Sequence, residues 1–208
     1  MSEGAAMNLE TAKMHAGQFI MQILDVCDKV EIAGSIRRGK QQVHDIEILA
    51  MPKFEVKQEM LLDGVVERKV NLLHQRMQQL LRNGTVTADR QRKDRHKDPF
   101  GERYYRVNFN PGNLKIPIDL FVVLPPAQWG TQLVIRTGCA EFSHWIVSLR
   151  ISHGLRFRDG HLERMGQVID TPTEESVFEA LRLPFVPPER RELDEHDLPM
   201  WPTGEVHG

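Results

Sequence analysis

The sequence predicts an α+β protein built from two subdomains, and three observations carry that expectation. Residues 8–29 set Leu9, Ala12, Phe19, Ile20, Ile23, Leu24 and Cys27 mostly three or four apart, the period of a helix with one apolar face. In Asp45–Met51, Ile46, Ile48 and Ala50 alternate with Asp45, Glu47 and Leu49, the period of a strand. Leu114–Leu124 is a near-continuous apolar run with one carboxylate, Asp119, as expected of a strand covered on both faces. Pro125-Pro126 then marks a boundary between a sheet-centred unit over residues 1–126 and a smaller unit over 127–191, with a tail at 192–208.

The other elements follow in order. Val30–Ala33 reads as a strand and Gly34–His44 as a polar stretch, and Pro52 ends the strand that follows it. Residues 66–82, with Val66, Val70, Leu73, Met77, Leu80 and Leu81, predict a second amphipathic helix closed by Asn83-Gly84. Ala88–Arg103 is polar and charged, and Tyr104–Asn110 reads as a strand before the turn Pro111-Gly112-Asn113. Pro117 argues for the start or edge of its strand, because proline removes a ladder donor. Residues 139–153 read as helical, and Leu155–Arg158 with His161–Arg164 as a hairpin about Asp159-Gly160. Thr173–Leu181 reads as a short helix with Glu174 and Glu175 in its first turn, where they suit the helix dipole. From Pro187 the chain is rich in proline and acid and is expected to be a loosely held tail.

Composition narrows the classes of function. With 40% hydrophobic and 27% charged residues, the 208-residue chain has ordinary globular usage and is neither fibrous nor wholly disordered. No apolar run reaches the roughly 20 residues that a membrane span needs, and Met1–Glu10 lacks the layout of a secretory signal. Two cysteines, Cys27 and Cys139, are too few for a disulfide framework or a multi-cysteine zinc site and suit a reducing, cytoplasmic setting. The 27 Lys+Arg against 29 Asp+Glu leave a net charge of −2, so a nucleic-acid partner would be held by local basic patches. A monomer is expected.

The chemistry concentrates in Gly34-Ser35-Ile36-Arg37-Arg38-Gly39 followed by Asp45-Ile46-Glu47. On a strand, residues two apart face the same way, so Asp45 and Glu47 would project together and repel unless a cation sits between them. Mg²⁺ suits such a pair: a hard ion satisfied by carboxylate oxygens, with positions left for phosphate and water. Asp119 is the candidate third ligand if its strand lies beside the first, since a lone carboxylate in an apolar strand is costly without a partner. Gly34 lets the backbone approach a phosphate closely, Ser35 adds a hydroxyl and an N–H, and Arg37 and Arg38 bring planar donor forks. Together these residues suggest a site for a triphosphate and metal.

These residues resemble the nucleotidyltransferase motif of the family X DNA polymerases, the DNA polymerase beta group. Leu72-Leu73-His74-Gln75, Ile118-Asp119-Leu120, Thr137-Gly138 with Phe142, and Phe185–Arg191 are similar as well, so the resemblance runs from Val30 to Arg191. It implies a nucleotidyltransferase palm, with a mixed, mainly antiparallel sheet flanked by helices, and a small C-terminal α/β thumb-like subdomain. It also implies roles. Asp45, Glu47 and Asp119 would be catalytic acids holding two Mg²⁺ or Mn²⁺ ions, Asp119 also helping to accept the primer 3′-hydroxyl proton. Gly34, Ser35 and Arg38 would contact the triphosphate, and Thr137 and Gly138 would lie beside the sugar and base. The activity implied is addition of dNMP from a dNTP to a 3′-hydroxyl with release of pyrophosphate, as in gap-filling DNA repair on a gapped or primer–template duplex. The wider superfamily offers an alternative, template-independent transfer to RNA ends, a protein or a small molecule; a binding module without chemistry is the non-enzymatic reading. Glu47 stands where the family more often has Asp, Ile135 and Arg136 where aromatic residues help exclude ribonucleotides, and Ser143 where an asparagine contacts the base.

Other features carry less. The basic cluster Arg90–Lys97 is a candidate backbone-binding patch or a solvated loop. Arg136, Arg150, Arg156 and Arg158 are candidates for a thumb surface facing template or primer. Trp129, Trp145 and Cys139 read as packing residues.

Overall fold

The computed structural model describes residues 6–61, 64–89, 100–149 and 154–192. The chain opens with β1 (Met7–Asn8) and α1 (Leu9–Ile23), then a 3₁₀ turn Leu24–Val26, β2 (Cys27–Ile32), the single-turn α2 (Gly34–Arg37), β3 (Gln42–Val43) and β4 (Ile46–Pro52). It continues through β5 (Phe54–Leu61), β6 (Gly64–Asn71), α3 (Leu72–Arg82), β7 (Val86–Ala88), β8 (Phe100–Gly101), β9 (Tyr104–Phe109) and β10 (Ile116–Val122). The C-terminal unit has α4 (Trp129–Thr137), α5 (Ala140–Ser148), β11 (Leu155–Arg158), β12 (His161–Arg164), β13 (Gln167–Ile169), α6 (Glu174–Ala180) and a 3₁₀ turn Pro188–Arg190. No helix among the described residues is long and apolar enough to cross a membrane.

The main sheet runs β2-β4-β10-β9-β7, with β8 also on β9. Only β4 and β10 are parallel, so the sheet is mixed and mainly antiparallel, as expected from the sequence. Those two strands are covered on both sides. Ile46, Ile48, Ala50, Ile118, Leu120 and Val122 share a core with Ala12, Ala16 and Phe19 of α1 and Leu73 and Met77 of α3. On the opposite face Leu49 and Val123 pack with Trp129 and Leu133 of α4. That double burial is why the 114–124 run reads as continuously apolar. A second core joins Val134, Phe142, Ile146, Leu155, Leu162, Val177 and Phe178 of the C-terminal unit. α4 therefore belongs to two cores, which periodicity alone did not single out.

Several expectations shift. The first helix stops at Ile23, not residue 29; Leu24 is exposed, and Cys27 begins β2. The second helix starts only at Leu72, capped by the Asn71 side chain accepting from the His74 N–H at 3.0 Å. Residues 66–71 belong instead to a β5–β6 ribbon, in which Val66 pairs with Glu59 and Val70 with Glu55. Valines fit a pleated ribbon at least as well as a helix face, and the local period did not separate the two. Pro117 is the second residue of β10, at the start of its strand as expected, though the strand itself is central in the sheet. It pairs only with Asn108 of β9, because β4 joins β10 from Ile118 onward, so no ladder bond to β4 is lost. The hairpin about Asp159-Gly160 forms as expected and gains β13 as a third strand. Pro187–Glu192 is not a loose tail: Arg191 is fully buried. The cluster Arg90–Lys97, Arg150 and residues 193–208 lie outside the described residues.

Arg191 is buried because Glu174 is. At the start of α6 the Glu174 carboxylate accepts two bonds from Arg37 of α2, at 2.8 and 2.7 Å, and another from Arg191. Arg191 also donates Nε–H to the Val186 carbonyl at 2.9 Å and lies over the rings of Phe178 and Phe142. Burial works to raise the Glu174 pKa, but the two guanidiniums outweigh it, and the carboxyl is held below its ordinary value. This Arg–Glu–Arg clasp joins the sheet unit to the C-terminal unit. Glu174→Ala, which leaves the fully buried Arg191 without its counter-ion while Arg37 keeps Glu31, is expected to lower stability by about 3–5 kcal/mol in urea unfolding; a loss under 1 kcal/mol would show that the clasp contributes little.

Candidate active site

Glu47 sits on β4 with its backbone carbonyl accepting the Ala33 N–H at 2.8 Å, which draws the end of β2 and the start of α2 against it. Gly34 adopts φ +59, and a Cβ there would lie 1.7 Å from Glu47 Oε2. Only glycine allows both that backbone conformation and that approach. The glycine of the Gly34-Ser35 turn is thus one wall of the Glu47 carboxylate.

Asp119 is directly across from Glu47 in the parallel β4–β10 ladder, and Asp45 lies two residues before Glu47. The three acids therefore share one end of the sheet, and Glu47 feels the other two. Burial, then Asp45, then Asp119 push the Glu47 carboxyl up to about 7, with Arg38 and Arg136 pulling the other way. Among the described residues no three His, Cys, Asp or Glu side chains converge on one point as a ligand cage. In this conformation Asp119 is turned toward its neighbours on β9: it accepts from the Tyr104 hydroxyl at 2.6 Å and from Arg106 Nη1 at 3.0 Å. Arg106 also bonds Asp89 at 3.1 Å. Burial and the Asp119 bond push the Tyr104 phenol up to about 12, which keeps it a donor.

The residues expected to contact a nucleotide fall into two groups. Ser35 is half-buried in the first turn of α2, next to Gly34. Arg38 donates Nη1–H to the Thr137 carbonyl at 2.7 Å and Nε–H to Glu192, which also pairs with Lys40 at 2.8 Å. Arg37 is part of the clasp and also bonds Thr137 Oγ1 at 2.9 Å and Glu31 at 3.2 Å. Thr137 is fully buried, and a Cβ on Gly138 would lie 2.3 Å from the Phe142 ring. Thr137 and Gly138 thus sit in the seam between the two units. Ser143 points inward, donating to the Ile135 carbonyl at 2.7 Å. Cys139 caps α5, its sulfur accepting from the Phe142 N–H, and Trp129 is in the core, so both are packing residues as expected.

Sequence reasoning missed Tyr104 and Arg106, the partners of Asp119. Their signal was the two-residue spacing on a strand, legible only once β9 is known to pair with β10. Arg136, expected on a thumb surface, instead folds over Phe121 with 4.0 Å between its guanidinium carbon and the ring centroid. It lines a cleft of about 580 Å³ together with Tyr104, Phe121, Gln132 and Gly160.

The C-terminal unit is thumb-like in sequence as well as in fold: residues 132–192 match the family model of the DNA polymerase beta thumb. The match spans α4 to the clasp residue Arg191, supports a relationship to the polymerase beta group, and points to a polymerase-like nucleotidyltransferase. No curated protein matches the chain.

A carboxyl raised to about 7 has a consequence with a definite sign. The native state binds the Glu47 proton more tightly than the unfolded chain, whose carboxyl titrates near 4.5. This contribution to stability is full below pH 4.5 and is lost as pH rises through 7. In buffer without divalent cations, the melting temperature of the wild type is expected to fall relative to that of Glu47→Gln between about pH 5 and pH 8, by at most about 3 kcal/mol in stability. Parallel pH profiles for the two proteins would exclude the shift.

Proposed function

We propose that the chain is a metal-dependent nucleotidyltransferase that adds a nucleotide from a nucleoside triphosphate to the 3′-hydroxyl of a DNA strand and releases pyrophosphate. The observation that carries this reading is the Glu47–Asp119 pairing across two parallel strands, backed by a glycine that only a carboxylate-facing turn requires. The match of residues 132–192 to a polymerase thumb supports DNA as the acceptor, with gap filling the favoured role.

The donor set fits hard divalent cations. It consists of carboxylate oxygens alone, and Glu47 is pushed toward its neutral form by burial and then by the acids beside it, a like-charge repulsion that a bound cation relieves. Asp45, Glu47 and Asp119 would hold two Mg²⁺ or Mn²⁺ ions, which would supply charge neutralisation for the triphosphate and for the departing pyrophosphate. Asp119 first exchanges its bonds to Tyr104 and Arg106 for the substrate side of the groove, and its carboxylate then takes the proton of the acceptor hydroxyl. Arg106 keeps Asp89 as a partner through that exchange, so the movement strands no charge. Gly34 and Ser35 present backbone and hydroxyl to the triphosphate. Arg38 joins them by releasing Glu192, which retains Lys40.

Asp119→Asn is expected to cut nucleotide incorporation on the order of 100-fold or more, with a melting temperature within a few degrees of wild type. Full activity in that variant would remove Asp119 from the chemistry. Offering labelled deoxy- and ribonucleoside triphosphates with Mg²⁺ on a gapped duplex and on single-stranded RNA identifies the acceptor. Templated extension of the duplex supports the reading, and labelling of the RNA or of the protein itself moves the acceptor to another class.

A further inference from the structure

Among the described residues beside the site, Arg136 is a cation that the acids, the Gly34-Ser35 turn and Arg38 do not engage by a hydrogen bond or ion pair. Arg136, in the last turn of α4, stacks on Phe121, which is itself stacked on Tyr104 at 5.1 Å and 27°. Its Nε is buried and has no hydrogen-bond partner among the described residues. Desolvation lowers its pKa below the ordinary guanidinium value, against the opposing pull of Glu47, Tyr104 and Asp119. A desolvated donor on a charged group is costly, and a methionine on the same aromatic shelf would fill the space without that cost. An anion that arrives in the cleft lined by Arg136 therefore meets a guanidinium whose bonding is incomplete within the described residues.

The cleft indicates what that acceptor is. At about 580 Å³ it falls in the range that takes a nucleotide-sized ligand and is far too small for a duplex. Its other arginine, Arg103, is committed to the fold, with both terminal nitrogens donating to the carbonyls of Leu124 and Pro125 at 2.9 Å. Arg136 is within electrostatic reach of Glu47 and Asp119, so a ligand oxygen that bonds it also lies close to those acids. An anionic oxygen is tolerated there only if it comes with divalent cations, as a phosphate in nucleotidyl transfer does. A guanidinium held over an aromatic ring keeps a planar set of donors beside the cleft for such an oxygen.

We propose that Arg136 is an anion-binding residue of this cleft, its guanidinium donating to a phosphate oxygen of the nucleotide substrate that reaches the acids. The proposal rests on the nucleotidyl-transfer reading. The oxygen belongs either to the incoming triphosphate or to the last phosphodiester of the acceptor strand, and the chemistry of recognition is the same for both.

Two variants and two probes separate the sources. Arg136→Met keeps the length and the contact with Phe121; Arg136→Lys keeps the charge but loses Nε and the planar fork. The probes are a Mg²⁺-bound non-hydrolysable nucleoside triphosphate, followed by calorimetry, and a fluorescent oligonucleotide with a free 3′-hydroxyl, followed by anisotropy across a salt series. Arg136→Met is expected to weaken one probe by roughly tenfold or more, and Arg136→Lys by several-fold, with both variants melting within a few degrees of wild type. Loss confined to the triphosphate assigns the incoming nucleotide. Loss confined to the oligonucleotide, with a salt slope shallower by about one, assigns the acceptor strand. Wild-type affinity of Arg136→Met for both probes overturns the proposal and leaves nucleotidyl transfer standing; if that variant does not fold, the same result for Arg136→Lys does so. A wild-type protein that binds neither probe overturns the transfer reading and the proposal together.

Discussion

The site depends on one turn of helix that must serve two surfaces at once. In Gly34–Arg37 the first residue touches the Glu47 carboxylate and the last reaches across to Glu174, while Arg38, just beyond, reaches Thr137 and Glu192. Burying Glu174 requires nearby positive charge, and Arg37 and Arg191 provide it from opposite sides. Because Arg37 is rigidly attached to the turn that walls Glu47, neutralising one buried acid fixes the surroundings of another some distance away.

The three sheet-end acids face the reverse problem. Asp119 has Arg106 and Tyr104, and so remains a satisfied anion in a nearly buried position. Among the described residues Glu47 has no equally close cation, and burial with two like charges drives its pKa upward. Two carboxylates directly across from one another thus sit in different surroundings because their neighbours on β9 and α2 differ. The asymmetry sets one acid already ordered by protein donors beside another pushed toward its neutral form by burial and the acids around it.

Much of this was legible in the sequence, for physical reasons that can be named. Asp119 stood out because a lone carboxylate in an apolar run is expensive anywhere, and the alternation over Asp45–Met51 reflects a strand that must face two environments. Both readings depend on local chemistry alone. The roles of Arg37 and Arg38 were less legible: a guanidinium fork suits a phosphate and a carboxylate equally, and which it meets depends on residues 137 and 174, 99 to 137 positions away. Residues 54–71 escaped for another reason. Valines at 66 and 70 satisfy a helical spacing by accident, and the pairing that decides the matter, Glu55 with Val70 and Glu59 with Val66, is a cross-strand property invisible to a one-dimensional window.

The double membership of α4 has a mechanical corollary. Trp129 and Leu133 root it in the sheet, Val134 roots it in the C-terminal unit, and its last turn carries both Arg136 and the Thr137 that receives Arg37 and Arg38. A tilt of the thumb-like unit must therefore pivot on this helix, and as it pivots the helix moves the cleft wall and tugs on the arginines together. Width of the groove and grip on the sheet unit are one degree of freedom, so an opened groove is also a loosened clasp.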